Sequence, residues 1–271
     1  MTPVQPARRV RVDVLLVERG LAPTRQKAQA MLLAGLVWSE GRRMDKAGSQ
    51  LSIEAPLEVS PGRRFVGRGA EKLGPALARF AIAAVGRDAL DVGASTGGFT
   101  QVLLEAGAAR VIALDVGHGQ LDWSLRNDAR VTVLEGVNAR YLHPEALPFR
   151  PSLATIDVSF ISLRQVLEPT CACLAPGADV VALAKPQFEI GKGRVGKGGI
   201  VRDPLVWDEV LGGLIAFARE RGLGPLDVAR SALPGASGNV EFFLHLCPSS
   251  EPAAQPTLDA LRHEAVHAPL P

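Results

Sequence analysis

Four ionisable residues occupy positions at which an alternating α/β sheet would bring them together. Lys72 lies at the start of a predicted helix, and Glu241 begins a predicted strand. Asp157 and Lys185 end two other predicted strands, and Lys185 follows the wholly apolar run Val-Val-Ala-Leu-Ala. Burial in such a setting disfavours the charged amine, and a neutral amine can act as a general base on an alcohol. Taken singly, Lys72 also fits a surface helix residue, and Glu241 fits a satisfied charge at a sheet edge.

A glycine-rich loop, residues 93–99, follows the first predicted strand of this sheet and opens a helix. Its glycines allow a sharp turn and a close approach to a ligand, but its spacing is neither G-x-G-x-x-G nor a GK[ST] phosphate loop. Asp91 precedes the loop, where a carboxylate suits a cationic or zwitterionic ligand better than a phosphate. Asp115 ends the next strand, where a carboxylate can accept hydrogen bonds from both hydroxyls of a ribose. Together these features suggest S-adenosylmethionine, with a nucleotide site or a purely structural turn as alternatives.

Two residues after the third predicted strand, Asn138 and Ala139, lie where they could contact an adenine. The residues predicted to contact the cofactor are Asp91, Gly93, Ala94, Ser95, Thr96, Gly97, Gly98, Phe99, Asp115, Val116, Asn138 and Ala139.

The elements that must position these residues fall into two parts. Residues 1–12 form a basic arm, and helices are predicted over 10–20 and 24–35, the second capped by Thr24. Strands over 36–39 and 51–53, with a turn at Glu40-Gly41, complete a first domain at residues 1–60. Residues 61–69 are predicted to be an interdomain linker, because glycine, proline and arginine alternate there without periodicity.

The remainder of the chain alternates strands and helices. Strands are predicted over residues 89–92, 110–115, 130–134, 153–158, 179–185, 226–231 and 241–246. Helices are predicted over residues 71–84, 99–106, 120–127, 162–174 and 205–220. This alternation predicts a parallel sheet covered on both faces, in a Rossmann-like α/β domain over residues 70–250. Residues 251–271 are predicted to form a partly helical tail.

The charge of the chain is unevenly distributed. The net charge of +2 conceals 13 Lys and Arg against 7 Asp and Glu in residues 1–72, and 17 against 21 in the remainder. A basic part joined to a mildly acidic part suggests a module that meets an anionic polymer beside a module with another task.

The cysteine content and the apolar pattern exclude several classes of protein. Three cysteines are too few for a disulfide scaffold and fit a reducing cytosol. Cys171-Ala-Cys173 lacks a second ligand pair, so we expect two small residues of a buried helix and no metal site. The sequence shows neither a run of about 18 apolar residues nor an apolar segment after its basic N-terminus, so we expect no membrane span and no signal peptide.

Several motifs give the chain a strong resemblance to a known family. The order Lys72, Asp157, Lys185, Glu241 resembles the FtsJ-type ribose 2′-O-methyltransferases. More specifically, the chain resembles the TlyA (hemolysin A) family of bacterial rRNA cytidine 2′-O-methyltransferases over nearly its whole length. The motifs that carry this resemblance are Gly93-Ala-Ser-Thr-Gly-Gly-Phe99, Asp115-Val-Gly117, Trp123-Ser-Leu-Arg-Asn127, Asp157-Val-Ser-Phe-Ile-Ser-Leu163, Lys185-Pro-Gln-Phe-Glu189, Gly191-Lys-Gly193 and Pro234-Gly-Ala-Ser-Gly-Asn239. The N-terminal part resembles the S4 RNA-binding domain that precedes the methyltransferase in this family.

The resemblance implies a role for each member of the catalytic tetrad. Lys185 would deprotonate the ribose 2′-hydroxyl. Asp157 would hold Lys185 and lie close to the sulfonium methyl. Lys72 and Glu241 would position the hydroxyl and tune Lys185. Orientation should supply much of the rate, because the methyl donor is already activated.

The resemblance and the charge pattern also suggest an RNA-binding surface. Arginine and lysine would contact phosphates, and Phe160 beside the tetrad could stack on a base turned out of its helix, although a core position is its alternative. The residues predicted to bind RNA are Arg8, Arg9, Arg11, Arg25, Lys46, Arg68, Arg140, Phe160 and Lys192.

The expected substrate is cytidine in rRNA within ribosomal subunits, in the cytoplasm. The basic arm and the long tail resemble the longer family members, which modify both 16S and 23S rRNA at the subunit interface and affect tuberactinomycin susceptibility. The alternatives are a ribosome-assembly factor with an inactive catalytic domain, a membrane-lytic hemolysin and a small-molecule methyltransferase, the last disfavoured by the S4-like arm. The intact tetrad argues against the first, and the lack of a spanning segment argues against the second.

Overall fold

The computed structural model describes residues 8–60, 65–191, 193–248 and 250–268. Residues 1–7 of the expected basic arm, residues 61–64 of the expected linker, and Lys192 therefore lie outside the described residues. The chain divides into two compact units, Met1–Arg64 and Phe65–Pro271. Within the described ranges, no helix is long and apolar enough to cross a membrane.

The first unit is a small α/β structure. Its described elements are β1 (Arg9–Arg11), α1 (Val12–Glu18), α2 (Arg25–Leu33), β2 (Val37–Ser39), β3 (Arg42–Met44), β4 (Gln50–Ser52) and β5 (Glu58–Val59). Strand β1 pairs antiparallel with β4, and β2 pairs antiparallel with β3 and β5. Val12, Leu16 and Leu32 of the two helices form the centre of its hydrophobic core.

Three local predictions for this unit can be compared with the structure. Thr24 caps α2 by accepting a hydrogen bond from the Lys27 backbone N–H at 3.2 Å, as predicted. The first helix begins at Val12 and not at residue 10, because the preceding residues pair with β4. The predicted turn at Glu40-Gly41 joins β2 to a strand, β3, that the sequence pattern did not predict; both turn residues have positive φ, the backbone that a tight hairpin requires.

The second unit is built around a seven-stranded sheet in the order β11-β12-β10-β9-β6-β7-β8. Its strands are β6 (Asp88–Val92), β7 (Arg110–Asp115), β8 (Val131–Glu135), β9 (Leu153–Ile156), β10 (Asp179–Ala184), β11 (Pro225–Arg230) and β12 (Phe242–Leu246). Its described helices are α3 (Ala70–Arg79), α4 (Gly98–Glu105), α5 (Trp123–Arg126), α6 (Leu167–Ala172), α7 (Pro186–Glu189), α8 (Pro204–Glu220) and α9 (Gln255–His267). This confirms the predicted Rossmann-like α/β architecture.

Both faces of this sheet are buried, which explains the long apolar runs of its strands. On one face, α3 and α4 pack Leu73 and Leu103 against residues such as Val181. On the opposite face, α6 and α8 pack Leu167 and Leu211 against the alternate strand residues.

One strand departs from the predicted parallel sheet. Strand β12 lies between β10 and β11 and runs antiparallel to both, so the expectation of a wholly parallel sheet is wrong here. Its register pairs Phe242 with Ala184. The amino end of β12 therefore lies at the same sheet edge as the carboxyl ends of β9 and β10.

Several predicted helices are shorter in the structure, each for a local reason. The helix predicted over 162–174 is a 3₁₀ turn at Leu163–Gln165 followed by α6, because Pro169 lacks the N–H that a continuous helix would need. Helix α3 ends at Arg79 and not at residue 84, since Ala81 adopts a positive φ of 55°. Helix α5 begins only at Trp123, after Asp122 accepts a hydrogen bond from the Ser124 backbone N–H.

A buried carboxylate joins the elements of the first unit. Asp13 is fully buried, and its two oxygens accept two hydrogen bonds from Arg11 at 3.0 Å, one from Arg25 at 3.1 Å and one from Gln29 at 3.0 Å. These hydrogen bonds hold the pKa of Asp13 well below its usual range. The network ties the start of α1 to α2.

Replacement of Asp13 by asparagine should therefore destabilise the first unit by about 2 kcal/mol at neutral pH, because the new amide would place an N–H₂ group against charged donors. The pKa of Asp13 is lowered in the folded state, so its contribution is present above about pH 4 and is lost as the pH falls below that value. Urea unfolding of wild type, Asp13→Asn and the exposed control Asp45→Asn at several pH values measures this. Equal stabilities of wild type and Asp13→Asn at pH 7 would contradict it.

Candidate active site

The four predicted catalytic residues meet at one edge of the seven-stranded sheet. Lys72 comes from the first turn of α3, and Glu241 precedes β12. Asp157 follows β9, and Lys185 follows β10. All four line one cavity of about 540 Å³, so the structure brings together the whole predicted tetrad.

The tetrad consists of two close amine–carboxylate pairs. Lys72 Nζ donates a hydrogen bond to Glu241 Oε2 at 2.6 Å, and Lys185 Nζ lies 2.5 Å from Asp157 Oδ1. Lys72, Lys185 and Glu241 are 9 %, 8 % and 3 % exposed. Charges so far removed from water are tolerated when each has an opposite charge beside it.

The backbone explains why these side chains converge. The Asp157 N–H donates to the Val92 carbonyl at 2.9 Å, which extends the β6–β9 pairing by one residue and holds Asp157 at the strand end. Lys185 is the residue before α7, whose first position is Pro186. A proline there ends the strand and begins the helix, so Lys185 stays at the edge of the sheet.

The glycine-rich loop passes directly beside the tetrad. Gly93 has a φ of +85°, and a Cβ atom added there would lie 2.3 Å from the Asp157 carbonyl oxygen. Both the backbone conformation and the available space therefore require glycine. Gly97, with a φ of +97°, faces the side chains of Leu121 and Leu125 and does not line the cavity. The loop residues that line this cavity are Gly93, Ala94, Ser95, Thr96, Gly98 and Phe99.

A second cavity, of about 550 Å³, adjoins the first. Asp115 lines it, and its carboxylate accepts backbone hydrogen bonds from Ser95 at 2.8 Å and Gly117 at 2.7 Å. Other predicted cofactor residues that line this cavity are Gly93, Ser95, Val116, Asn138 and Ala139. The residues common to both cavities are Gly93, Ser95, Asp157, Ser159 and Phe160.

Asp91 is placed differently from the other predicted cofactor residues. It is fully buried and lines neither cavity. Its carboxylate accepts hydrogen bonds from the hydroxyls of Thr100 at 2.7 Å and Thr155 at 3.1 Å. Burial raises its pKa to about 7. In the structure Asp91 connects β6, β9 and α4 beneath the glycine loop.

The predicted RNA-binding residues are distributed over both units. Arg68 lines the first cavity, Arg140 lines the second, and Phe160 lines both. Phe160 is 90 % exposed, has a φ of +64°, and places its ring 5.2 Å from the ring of Phe188. An exposed aromatic with a strained backbone is more typical of a binding surface than of a core.

In the first unit, the predicted RNA-binding residues Arg8, Arg9 and Lys46 are exposed. Arg11 and Arg25 are also exposed, although both donate hydrogen bonds to Asp13.

Sequence reasoning assigned no role to three polar residues that shape the site. Ser159 Oγ accepts a hydrogen bond from Lys185 Nζ at 2.9 Å. The Glu189 carboxylate accepts hydrogen bonds from the Ser162 hydroxyl and the Leu163 N–H, which joins the segments after β9 and β10.

Asn239 is the third, at 2 % exposure. It donates a hydrogen bond to the Gly199 carbonyl and accepts one from the Val201 N–H, both at 2.9 Å. All three residues occur in the motifs next to the ends of predicted strands. That position is the sequence signal that could have indicated a role for them.

Cys171 of α6 and Cys173, the residue directly after this helix, do not form part of the site. Burial raises the pKa of Cys171 to about 12 and that of Cys173 to about 11, which disfavours the thiolate that a metal would need. Among the described residues, no group of three His, Cys, Asp or Glu side chains is arranged to hold a metal ion.

Comparison with known proteins shows the family to which this chain belongs. The FtsJ-like methyltransferase family matches residues 65–247, and the S4 domain family matches residues 10–55. The 16S/23S rRNA (cytidine-2'-O)-methyltransferase TlyA of Mycobacterium tuberculosis is 52 % identical over 242 residues, which cover 89 % of this chain and 90 % of that protein. This chain belongs to the TlyA family of FtsJ-like methyltransferases. The family resemblance predicted from the motifs is thereby confirmed.

Other TlyA-family relatives differ in their described activity. The 23S rRNA (cytidine-2'-O)-methyltransferase TlyA of Campylobacter jejuni is 36 % identical over 67 % of this chain and 70 % of its own length. A solved structure with the name "Putative hemolysin from Streptococcus thermophilus" is 40 % identical, and the match covers 96 % of both chains with a TM-score of 0.71.

The buried Asp91 of this TlyA-family chain makes a testable contribution to pH-dependent stability. Because its pKa is raised to about 7, the folded protein keeps the Asp91 proton between about pH 4 and pH 7, whereas the unfolded chain releases it. The contribution of Asp91 to the free energy of unfolding should therefore fall by about 1.4 kcal/mol per pH unit across that window. The replacement Asp91→Asn should remove this slope.

Urea unfolding of wild type and Asp91→Asn from pH 4.5 to 7 would show the variant gaining stability relative to wild type as the pH rises. Asp128→Asn is the control: Arg130 lowers the pKa of Asp128 to about 2, so its effect should stay constant over this range. Parallel stability curves for wild type and Asp91→Asn would refute the assignment.

Proposed function

We propose that this protein transfers the methyl group of S-adenosylmethionine to the 2′-oxygen of cytidine in ribosomal RNA. The observation that carries the proposal is the pair of amine–carboxylate contacts in the first cavity, one of which includes Asp157, a residue that also lines the adjoining second cavity. One cavity suits a nucleoside-bearing cofactor and the other suits a ribose that presents its hydroxyl to Lys185. Asp157 lines both cavities, which supports methyl transfer beside this residue.

The residues of the second cavity fit the cofactor. Asp115 offers carboxylate oxygens to ribose hydroxyls, and the Asn138-Ala139 segment offers a polar and a small surface to the adenine. Gly93 brings the loop against Asp157 without a side chain in the way, and Ser95 and Asp157 continue the lining into the tetrad cavity. When bound there, S-adenosylmethionine supplies a methyl group already activated on a sulfonium.

The tetrad residues provide base catalysis and orientation. Lys185 would remove the proton of the 2′-hydroxyl while that oxygen forms its bond to the methyl carbon. The bond between the methyl carbon and the sulfonium sulfur would break in the same step and leave S-adenosylhomocysteine. Asp157 holds the lysine and stabilises the ammonium that results. The Lys72–Glu241 pair positions the hydroxyl, since both groups line the same cavity and hold each other in place.

The remaining predicted sites would hold the RNA. Arg68 and Arg140 lie at the two cavities and would contact phosphates, and the exposed ring of Phe160 would stack on a base turned out of its helix. The S4 domain and its basic residues would bind rRNA independently of sequence. Because ribosomal RNA is the proposed substrate, we propose that the protein acts in the cytoplasm.

Replacement of Lys185 tests this mechanism. We expect Lys185→Ala to bind S-adenosylmethionine but to lose methyl transfer by at least about 100-fold, because general bases contribute on that order or more. Lys185→Arg is the matched variant: it keeps a positive charge beside Asp157 but cannot release its proton, so it should be equally inactive. Transfer of tritium from labelled cofactor to ribosomal subunits measures both. Activity of either variant near that of wild type would exclude Lys185 as the base.

The choice of rRNA is the finer part of the proposal. Both 16S and 23S rRNA are named for the Mycobacterium tuberculosis relative, and 23S rRNA alone for the Campylobacter jejuni relative. We propose that this protein modifies both, at the subunit interface, and so affects tuberactinomycin susceptibility. The support is the higher identity and coverage of the first relative.

The expected result is 2′-O-methylation of a cytidine in each subunit's RNA when wild type is expressed in a strain lacking such an enzyme, and none with Lys185→Ala. Mapping of 2′-O-methyl positions on both RNAs measures this. Methylation of 23S rRNA alone would restrict the substrate. Binding to subunits without any methylation would favour an assembly factor, and lysis of erythrocytes that survives Lys185→Ala would favour a hemolysin.

A further inference from the structure

We propose that Ser159 is a positioning residue for Lys185, and that its hydroxyl fixes the direction in which the lone pair of the neutral lysine amine points. This inference rests on the proposed function, in which Lys185 accepts the proton of a ribose hydroxyl. It adds a fifth polar residue to the predicted tetrad.

Two oxygen atoms surround the Lys185 amine. Asp157 Oδ1 lies 2.5 Å from Nζ, and Ser159 Oγ accepts a hydrogen bond from Nζ at 2.9 Å. Lys185 itself is 8 % exposed, so water has little access to the amine. Ser159 lines both cavities and therefore stands where the cofactor and target would meet.

The number of hydrogens on the amine gives Ser159 its importance. A neutral lysine amine has two N–H bonds and one lone pair, arranged with the carbon substituent around a tetrahedral nitrogen. When one N–H points to Ser159 and the other is drawn towards the charge of Asp157, the lone pair takes the one remaining direction. Without Ser159, rotation about the Cε–Nζ bond exchanges the lone pair with an N–H, so the base is aimed correctly for only part of the time.

The local backbone holds Ser159 in this position. Phe160, the next residue, has a φ of +64°, a conformation that a non-glycine residue adopts at a free-energy cost and that often marks a functional site. Glu189 adds a second constraint: its carboxylate accepts hydrogen bonds from Ser162 at 2.6 Å and from the Leu163 N–H at 2.7 Å. Glu189 ends α7, the helix that begins directly after the lysine. The segments bearing the base and its serine are thus tied together.

Three substitutions separate the acceptor role of the hydroxyl from its size. Ser159→Ala removes the acceptor, Ser159→Cys keeps the shape but replaces oxygen with a weak acceptor, and Ser159→Thr keeps the hydroxyl. In single-turnover assays with saturating S-adenosylmethionine and ribosomal subunits, Ala and Cys should lower the rate about tenfold, which is the effect of one lost hydrogen bond. Thr should retain most of the rate.

Three further readouts distinguish positioning from a general structural role. The KM for ribosomal subunits and the Kd for S-adenosylmethionine should stay within about twofold of wild type in all three variants. Thermal unfolding should match that of the control Ser124→Ala, an exposed serine on α5 of the same unit. If Ser159→Ala does not fold, the rate of the nearly isosteric Ser159→Cys variant tests the acceptor role of the hydroxyl.

The outcomes are separable from those of the proposed function. Rates of Ser159→Ala and Ser159→Cys equal to wild type would overturn the role of Ser159 while leaving the methyl transfer intact. So would a defect confined to KM, or a Ser159→Thr variant as slow as Ser159→Ala. A wild-type protein that transfers no methyl group to rRNA would overturn the proposed function, and this proposal with it.

Discussion

Two lysine amines lie nearly out of reach of water at one edge of the sheet, and each stays there because a carboxylate is within 2.6 Å of it. A buried unpaired ammonium would be costly enough to distort the fold or to lose its proton, so the positions of the two carboxylates are as constrained as those of the lysines. The four groups come from four elements far apart in sequence, and their convergence requires each strand to end at a fixed residue.

The buried carboxyl group of Asp91 supports the glycine loop that passes beside the tetrad. Asp91 is held by two threonine hydroxyls and connects three elements beneath the glycine loop. Its raised pKa favours a protonated carboxyl at moderately acidic pH, which limits the number of full charges near Asp157. Above it, Gly93 lets the loop approach Asp157 so closely that no side chain fits between them. The geometry of this edge of the sheet therefore depends on the threonine hydroxyls around Asp91 and on the glycine at position 93, as well as on the tetrad.

Much of this arrangement could be predicted from the sequence. An apolar run that ends in a charged residue indicates a buried strand, and the charged residue indicates the end of that strand that faces the site. The strands bearing Asp157 and Lys185 were found within two residues of their true ends, and the tetrad was identified as a group. The direction of β12 could not be found in this way, since a fully buried strand has the same apolar run in either direction. The burial of Asp91 was also missed, because a carboxylate after an apolar run looks the same whether it faces a ligand or two threonines. Ser159 is a short polar residue in a loop, and only its distance from Lys185 reveals its contact.

The place of β12 in the sheet has a consequence for how the protein is made. This strand is the last of the sheet to be synthesised, yet it is inserted between β10 and β11 and brings Glu241 to Lys72, a residue 169 positions earlier in the chain. A nascent chain that has left the ribosome up to β11 already contains Lys72, Asp157 and Lys185. In such a chain Lys72 lacks its partner Glu241, and β12 is missing from its place between β10 and β11. Completion of the site therefore coincides with near-completion of the domain. Under the proposed function, catalytic competence requires β12, and we expect partial chains that end before this strand to lack it.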